Sequence, residues 1–294
     1  MNILDGKATA EQIKEEIKTQ VAHFIDDGVR PPHLAAVLVG NDPASETYVR
    51  NKEKNSKLVG FTSSVYNLPI DTSEKELLKV VGFLNDDPDV DGFIVQLPLP
   101  KHIDEQKIIN AIDPKKDVDG FNPINIGKMV LGLDTYLPAT PSGIIELLKR
   151  NNIETVGKHA VIIGRSNIVG TPLSILLSRK NDFANCTVTI CHSQTPNIQE
   201  FSLQADILVA ALGKPSFVTA DMVKEGAIVI DVGINTIPDN TKKSGFRTVG
   251  DVDFDEVSKK ASWITPVPGG VGPMTIVSLL MNTLKAYKYR FNLS

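Results

Sequence analysis

A chain of 294 residues has room for about two domains of roughly 150 residues each, and 41% hydrophobic with 22% charged residues is enough to bury two cores. A net charge of −4 gives no electrostatic reason to bind nucleic acid or an anionic membrane surface. The two cysteines, Cys186 and Cys191, are spaced for opposite faces of a strand rather than for a disulfide. No Cys, His or carboxylate spacing suggests a metal site. The amino terminus reads as neither signal nor transit peptide, and no apolar run reaches membrane-spanning length, so a cytoplasmic protein is expected.

Residues 8–25 place Ile13, Ile17, Val21, Phe24 and Ile25 at helical spacing among charges. Residues 34–39 (LAAVLV) form a continuous apolar run of strand length. Asp42-Pro43 then supplies a helix cap and a proline at the first helical position, opening a helix to about residue 59. Further strands are expected at 61–68 and 92–95, with helices at 73–84 and 105–111. This alternation predicts a parallel sheet covered on both faces. The Gly-, Pro- and Asn-rich residues 113–141 read as loop, followed by a helix to about residue 150. Beyond it, strands are expected at 159–163, 187–191, 206–210, 227–230 and 263–265. The polar residues 238–247 read as a hairpin or loop, and a long final helix runs towards residue 290.

Residues 159–177 (HAVIIGRSNIVGTPLSILL) carry the first chemical signal. An apolar strand stops at Gly164, polar residues lead to Gly170, and an apolar helix resumes. This is the order of a unit that offers a helix N-terminus to a phosphate. The next strand, TVTIC, ends in His192-Ser193 without the carboxylate that would bond the ribose 2′-hydroxyl of NAD. Arg165, Ser166 and Ser193 could instead accept a 2′-phosphate, which favours NADP.

Ligands in open parallel sheets bind at the carboxyl ends of strands. In the first half those ends bring Tyr48 and Lys52, four apart on one helix face, Gln96 in the stretch Gln-Leu-Pro-Leu-Pro, and Asp117-Val-Asp119-Gly120. A lysine in such a pocket could transfer protons if partly apolar surroundings lowered its pKa.

Five stretches together extend this reading: Tyr48-Val-Arg-Asn-Lys52, Val95-Gln-Leu-Pro-Leu-Pro100, Lys116-Asp-Val-Asp-Gly120, Gly164-Arg-Ser-Asn-Ile-Val-Gly-Thr-Pro172 and Pro266-Val-Pro-Gly-Gly-Val-Gly-Pro-Met-Thr275. In this order they resemble the bifunctional methylenetetrahydrofolate dehydrogenase/methenyltetrahydrofolate cyclohydrolase family. The likeness covers nearly the whole chain and departs around residues 179–185, a few residues longer than in common members.

The resemblance implies two α/β domains flanking a cleft. Residues 1–140 with the C-terminal helix 273–294 would bind tetrahydrofolate derivatives, and 141–272 would form a Rossmann-type NADP domain. It implies Lys52 as the lysine of the hydrolytic step, Gln96 as its partner, Asp119 as the carboxylate holding the pterin, and Tyr48 as the stacking ring. Gly164, Arg165, Ser166 and Ser193 fall on the cofactor's phosphate side, Ile234 and Thr275 on its nicotinamide side. A homodimer is implied as well. The competing expectations are an NADP-dependent dehydrogenase of another small substrate and a non-enzymatic NADP-binding subunit.

Overall fold

The computed structural model describes residues 1–242 and 245–293. The chain opens with a two-residue strand, β1 (Asn2–Ile3), and the helix α1 (Gly6–Asp26). It divides into two compact units: residues 11–139 with 276–294 form the first, residues 1–10 with 140–275 the second. The first ten residues thus group with the second unit, whereas the sequence reading assigns them to the folate domain. Strand pairing is the reason: β1 lies parallel to the strand Trp263–Ile264, and the Asn2 N–H donates to the Ser262 carbonyl at 2.7 Å.

In the first unit, β2 (His33–Val39), α2 (Pro43–Leu58), β3 (Thr62–Leu68), α3 (Glu74–Asp86) and β4 (Gly92–Val95) build a parallel sheet in the order β3-β2-β4. The continuous apolar run of β2 is what a strand buried on both faces requires. Its Ala35, Val37 and Val39 pack with Phe93 and Val95 of β4 against Leu77, Val81 and Leu84 of α3. Asp42 caps α2 by accepting the Ser45 N–H, and Ser73 with Glu76 forms a reciprocal capping box on α3.

The helix α4 (Glu105–Ala111) follows, and then α5 (Pro123–Val130), inside the stretch expected to be loop. Asn122 caps α5 by accepting the Ile124 N–H, with Pro123 at the first helical position. Buried Asp117 ties the region down, accepting the Asn122 N–H at 2.8 Å and the Asn125 side-chain amide at 2.9 Å.

The second unit continues through α6 (Ala139–Arg150), β5 (His159–Ile163), α7 (Gly170–Ser178), β6 (Thr187–Cys191), α8 (Ile198–Ser202), β7 (Ile207–Ala210) and β8 (Ile228–Asp231). Next come β9 (Asn235–Pro238), β10 (Phe246–Val249), α9 (Phe254–Val257) and β11 (Trp263–Ile264). The last helix, α10 (Val271–Phe291), starts in the second unit and passes into the first at residue 276. Six parallel strands make one sheet in the order β1-β11-β8-β7-β5-β6. Its core joins Val161, Ile163, Leu208, Ala210 and Val229 to Val218, Val223 and Val257. The polar excursion is an antiparallel hairpin of β9 and β10, with Pro238 opposite Phe246; residues 243–244 lie outside the described residues. Cys186 and Cys191 are buried free thiols, and among the described residues no helix is long and apolar enough to cross a membrane.

Candidate active site

Each of the two parallel sheets contains a point where the strand order reverses. In the first unit the chain goes from β2 outward to β3 and returns on the other side as β4; in the second it goes from β5 to β6 and returns as β7. Loops diverge at such points and leave a crevice at the carboxyl ends of the strands. Both sets of candidate residues stand at these ends.

In the first unit, α2 leaves the end of β2 and turns Ser45, Val49, Lys52 and Ser56 inward. Lys52 is only 7% exposed, unlike its neighbour Arg50, which lies at the surface beside Glu46. Its Nζ donates to Gln96 Oε1 at 3.1 Å. Gln96 directly follows β4, is anchored by its own N–H to the Val37 carbonyl, and donates its side-chain amide to the Leu97 carbonyl. One amide therefore reads the lysine and is itself fixed by backbone. Tyr48 lies one turn before Lys52, partly buried, and burial raises its phenol pKa.

Asp119 comes from the segment beside β4, where Asp117 bridges to Phe93 and Val118 is fully buried. Burial holds the Asp119 carboxyl above its ordinary range, while the Lys52 charge pulls it back. The structure thus joins Lys52 to Gln96 by a hydrogen bond, puts Asp119 within reach of the lysine's field, and sets Tyr48 on the same helix. A buried ammonium beside a neutral amide and a carboxylate is suited to moving protons and to holding a polar heterocycle.

In the second unit, Gly164 follows β5 with φ +131°, and a Cβ there would strike the Ala211 carbonyl just beyond β7. Gly170, the first residue of α7, is equally constrained: its Cβ would strike the Gly164 carbonyl. Two glycines therefore let the turn close onto itself at the start of a helix without a side-chain cap. Such a cradle of backbone N–H groups fits the phosphates of a dinucleotide. Arg165, Ser166 and Ser193 are exposed around it. Ser193 is brought in by pairing: Ile163 aligns with Cys191, and the Gly164 N–H donates to the Cys191 carbonyl at 2.8 Å.

Ile234 lies between β8 and β9, and Thr275 lies near the start of α10. Ile234 follows β8, is 49% exposed, and its Cδ1 faces Gly272 in the first turn of α10. Thr275 Oγ1 lies 3.0 Å from Thr140 Oγ1.

Two buried carboxylates escaped sequence reasoning. Asp231, the last residue of β8, accepts the N–H groups of Gly233, Asp251 and Val252, and burial pushes its pKa to about 6. Asp251 accepts three successive N–H groups, from Leu212, Gly213 and Lys214. The repeated Asp-Val pairs, Asp231-Val232 and Asp251-Val252, each beside a glycine, were the available signal.

The chain resembles known proteins over nearly its whole length. Residues 4–119 match the catalytic domain described as tetrahydrofolate dehydrogenase/cyclohydrolase, and residues 138–291 match that family's NAD(P)-binding domain. The chain is 63% identical to the bifunctional protein FolD of Cytophaga hutchinsonii, over 97% of this chain and 99% of the relative. The crystal structure of the bifunctional FolD enzyme from Campylobacter jejuni superposes with a TM-score of 0.91 at 48% identity, covering 99% of both chains. The Trypanosoma brucei dehydrogenase-cyclohydrolase, solved with NADP and an inhibitor, gives a TM-score of 0.92 at 39% identity, over 97% of this chain and 96% of that one. The chain belongs to the tetrahydrofolate dehydrogenase/cyclohydrolase family, and it is a bifunctional enzyme that oxidises 5,10-methylenetetrahydrofolate with NADP and hydrolyses the 5,10-methenyl product to 10-formyltetrahydrofolate.

Proposed function

We propose that the hydrolytic step is run by Lys52 and the folate held by Asp119, Tyr48 and Gln96. The observation that carries this reading is the buried Lys52 ammonium, hydrogen-bonded to Gln96 with the Asp119 carboxylate in its field. Hydride loss from the bridging methylene leaves an amidinium-type cation, so that step needs the rings held in place rather than a strong base. Hydrolysis does need proton transfers, as water adds to the methenyl carbon and a C–N bond then opens. Lys52 supplies them, and Gln96 keeps its Nζ aimed at the reacting carbon. Asp119 accepts hydrogen bonds from the pterin's amino and ring N–H groups, and Tyr48 stacks on the ring.

On the cofactor side, Gly164 gives the phosphates close access to backbone N–H groups, and Arg165, Ser166 and Ser193 take the 2′-phosphate. Ile234 and Thr275 line the nicotinamide half. The nicotinamide ring, when bound, accepts the hydride. Resemblance to the family supports a homodimer working in the cytoplasm; light scattering should give twice the chain mass of 32.0 kDa.

The test is a spectrophotometric assay with 5,10-methylenetetrahydrofolate, run with NADP⁺ and with NAD⁺. NADPH should form, and the methenyl product should then decay faster than its spontaneous rate. A preference for NAD⁺ would remove the role given to Arg165 and Ser193. Decay at the spontaneous rate would remove the role given to Lys52.

A further inference from the structure

The carboxyl ends of β7 and β8 are joined by a relay of polar groups centred on two buried carboxylates, Asp231 and Asp251. Asp251 is fully buried. Its Oδ2 accepts the Leu212 N–H at 2.6 Å and the Gly213 N–H at 2.9 Å. Its Oδ1 accepts the Lys214 N–H at 2.8 Å and the Asn235 side-chain amide at 2.9 Å. Four neutral donors thus converge on one carboxylate, three from the loop leaving β7 and one from Asn235, the first residue of β9.

Asp251 is itself held. Its N–H donates to Asp231 Oδ1 at 2.8 Å, and the Val252 N–H donates to Asp231 Oδ2 at 3.0 Å. The Asp231 N–H in turn donates to Thr265 Oγ1 at 2.7 Å, just beyond β11. Gly250 leaves no slack, because a Cβ there would strike the Asp231 carboxylate. Burying two carboxylates is costly unless each is fully hydrogen-bonded. A fold that retains both, with neutral donors alone, gains fixed loop geometry rather than an ion pair.

The segments so fixed flank the dinucleotide turn. Ala211, immediately before Leu212, carries the carbonyl against which Gly164 packs, and Asn235 immediately follows Ile234. We infer that Asp251 is a positioning residue for the nicotinamide half of the cofactor, setting the loop 212–214 and the start of β9 at 234–235 through the hydrogen bonds it accepts from both. The inference rests on the placement of Ile234 beside the nicotinamide. Asp231 and Thr265 act one layer further out, by holding Asp251.

Asp251→Asn tests it, because the amide keeps the size of the carboxylate but must turn an NH₂ towards an N–H that it cannot accept. Calorimetric titration of the full-length protein with NADP⁺ and with adenosine 2′,5′-bisphosphate separates the two halves of the cofactor. The second ligand keeps the 2′-phosphate and lacks the nicotinamide. NADP⁺ should bind about tenfold more weakly, while adenosine 2′,5′-bisphosphate binds as in the unmodified protein. Equal weakening of both ligands would mean a general structural role and overturn the inference, as would unchanged NADP⁺ affinity.

If Asp251→Asn does not fold, Asn235→Ala removes one tether only. It should weaken NADP⁺ about threefold and leave adenosine 2′,5′-bisphosphate unchanged; no change in NADP⁺ affinity would again overturn the inference. Should the unmodified protein fail to bind adenosine 2′,5′-bisphosphate at all, the assignment of Arg165 and Ser193 falls instead. The effect of either variant on NADP⁺ affinity still tests Asp251.

Discussion

The three strands β2, β3 and β4 of the first unit and the three strands β5, β6 and β7 of the second are wired alike at their amino ends. In the first set the His33 N–H donates to Asp91 Oδ2 at 2.8 Å, the Asp91 N–H returns to the His33 carbonyl, and the ring Nε2 lies 2.9 Å from Ser64 Oγ. In the second, the His159 N–H donates to Asp206 Oδ2 at 2.9 Å, the Asp206 N–H returns to the His159 carbonyl, and Nε2 lies 2.9 Å from Thr189 Oγ1. Even the ring Nδ1 atoms repeat, each facing a carbonyl two residues before the aspartate, Asp89 in one and Gln204 in the other.

The carboxyl ends differ. In the first unit they carry ionisable side chains, Lys52 and Asp119, with Gln96 between strand and lysine. In the second they carry glycines that let backbone approach backbone, and carboxylates turned inward onto N–H groups. On the function proposed above, one frame supports proton chemistry where side chains enter the crevice, and cofactor binding where backbone lines it. A strand's amino end serves stability, and its carboxyl end serves function.

The largest effect expected from breaking this division is at Gly170. In Gly170→Ala the new methyl meets the Gly164 carbonyl, so the turn must open. NADP⁺ affinity should fall about a hundredfold, a loss readable by calorimetry. On the role proposed for Arg165, Arg165→Ala should remove charge-assisted hydrogen bonds to the 2′-phosphate. The preference for NADP⁺ over NAD⁺ should fall by about tenfold or more, measured as a ratio of kcat/KM values.

Asp119 links the comparison to pH. In the role proposed for it Asp119 binds the pterin in its ionised form, and burial keeps it protonated to higher pH than an ordinary aspartate at about 3.9. As pH falls through that raised value, the carboxylate is lost and kcat/KM for the folate should fall with it. Asp119→Asn should raise KM for the folate about tenfold and abolish this acid limb; a limb that persists would belong to another group. The smallest effects belong to the amino ends. His33→Ala and His159→Ala should each cost about 1 kcal/mol in denaturant unfolding while leaving both activities near their original values.

Much of this division is legible in the sequence, because apolar runs such as residues 34–39 and 160–163 mark buried strands and the glycine turn follows one of them. Other parts were hidden for identifiable reasons. Composition read residues 113–141 as loop, although Asn122-Pro123 opens α5 by the same cap-and-proline signal that Asp42-Pro43 gives α2. The buried face of α2 includes two serines and a lysine, so hydrophobic periodicity cannot distinguish Lys52 from exposed neighbours such as Arg50 and Lys57. Asp231 and Asp251 meet only because the β9–β10 hairpin folds the chain back on itself. β1 is too short to show a pattern, and its pairing with β11 is a contact between the two ends of the sequence.

The most direct test of the division is the pair of activities of Lys52→Met, measured on the same preparation. Methionine can fill much of the buried space of the lysine stem but transfers no proton. Hydrolysis of 5,10-methenyltetrahydrofolate should fall by at least about a hundredfold while NADPH formation from 5,10-methylenetetrahydrofolate remains measurable. Hydrolysis at the unmodified rate would contradict the division, because the proton chemistry would then reside elsewhere than at the carboxyl ends of β2 and β4.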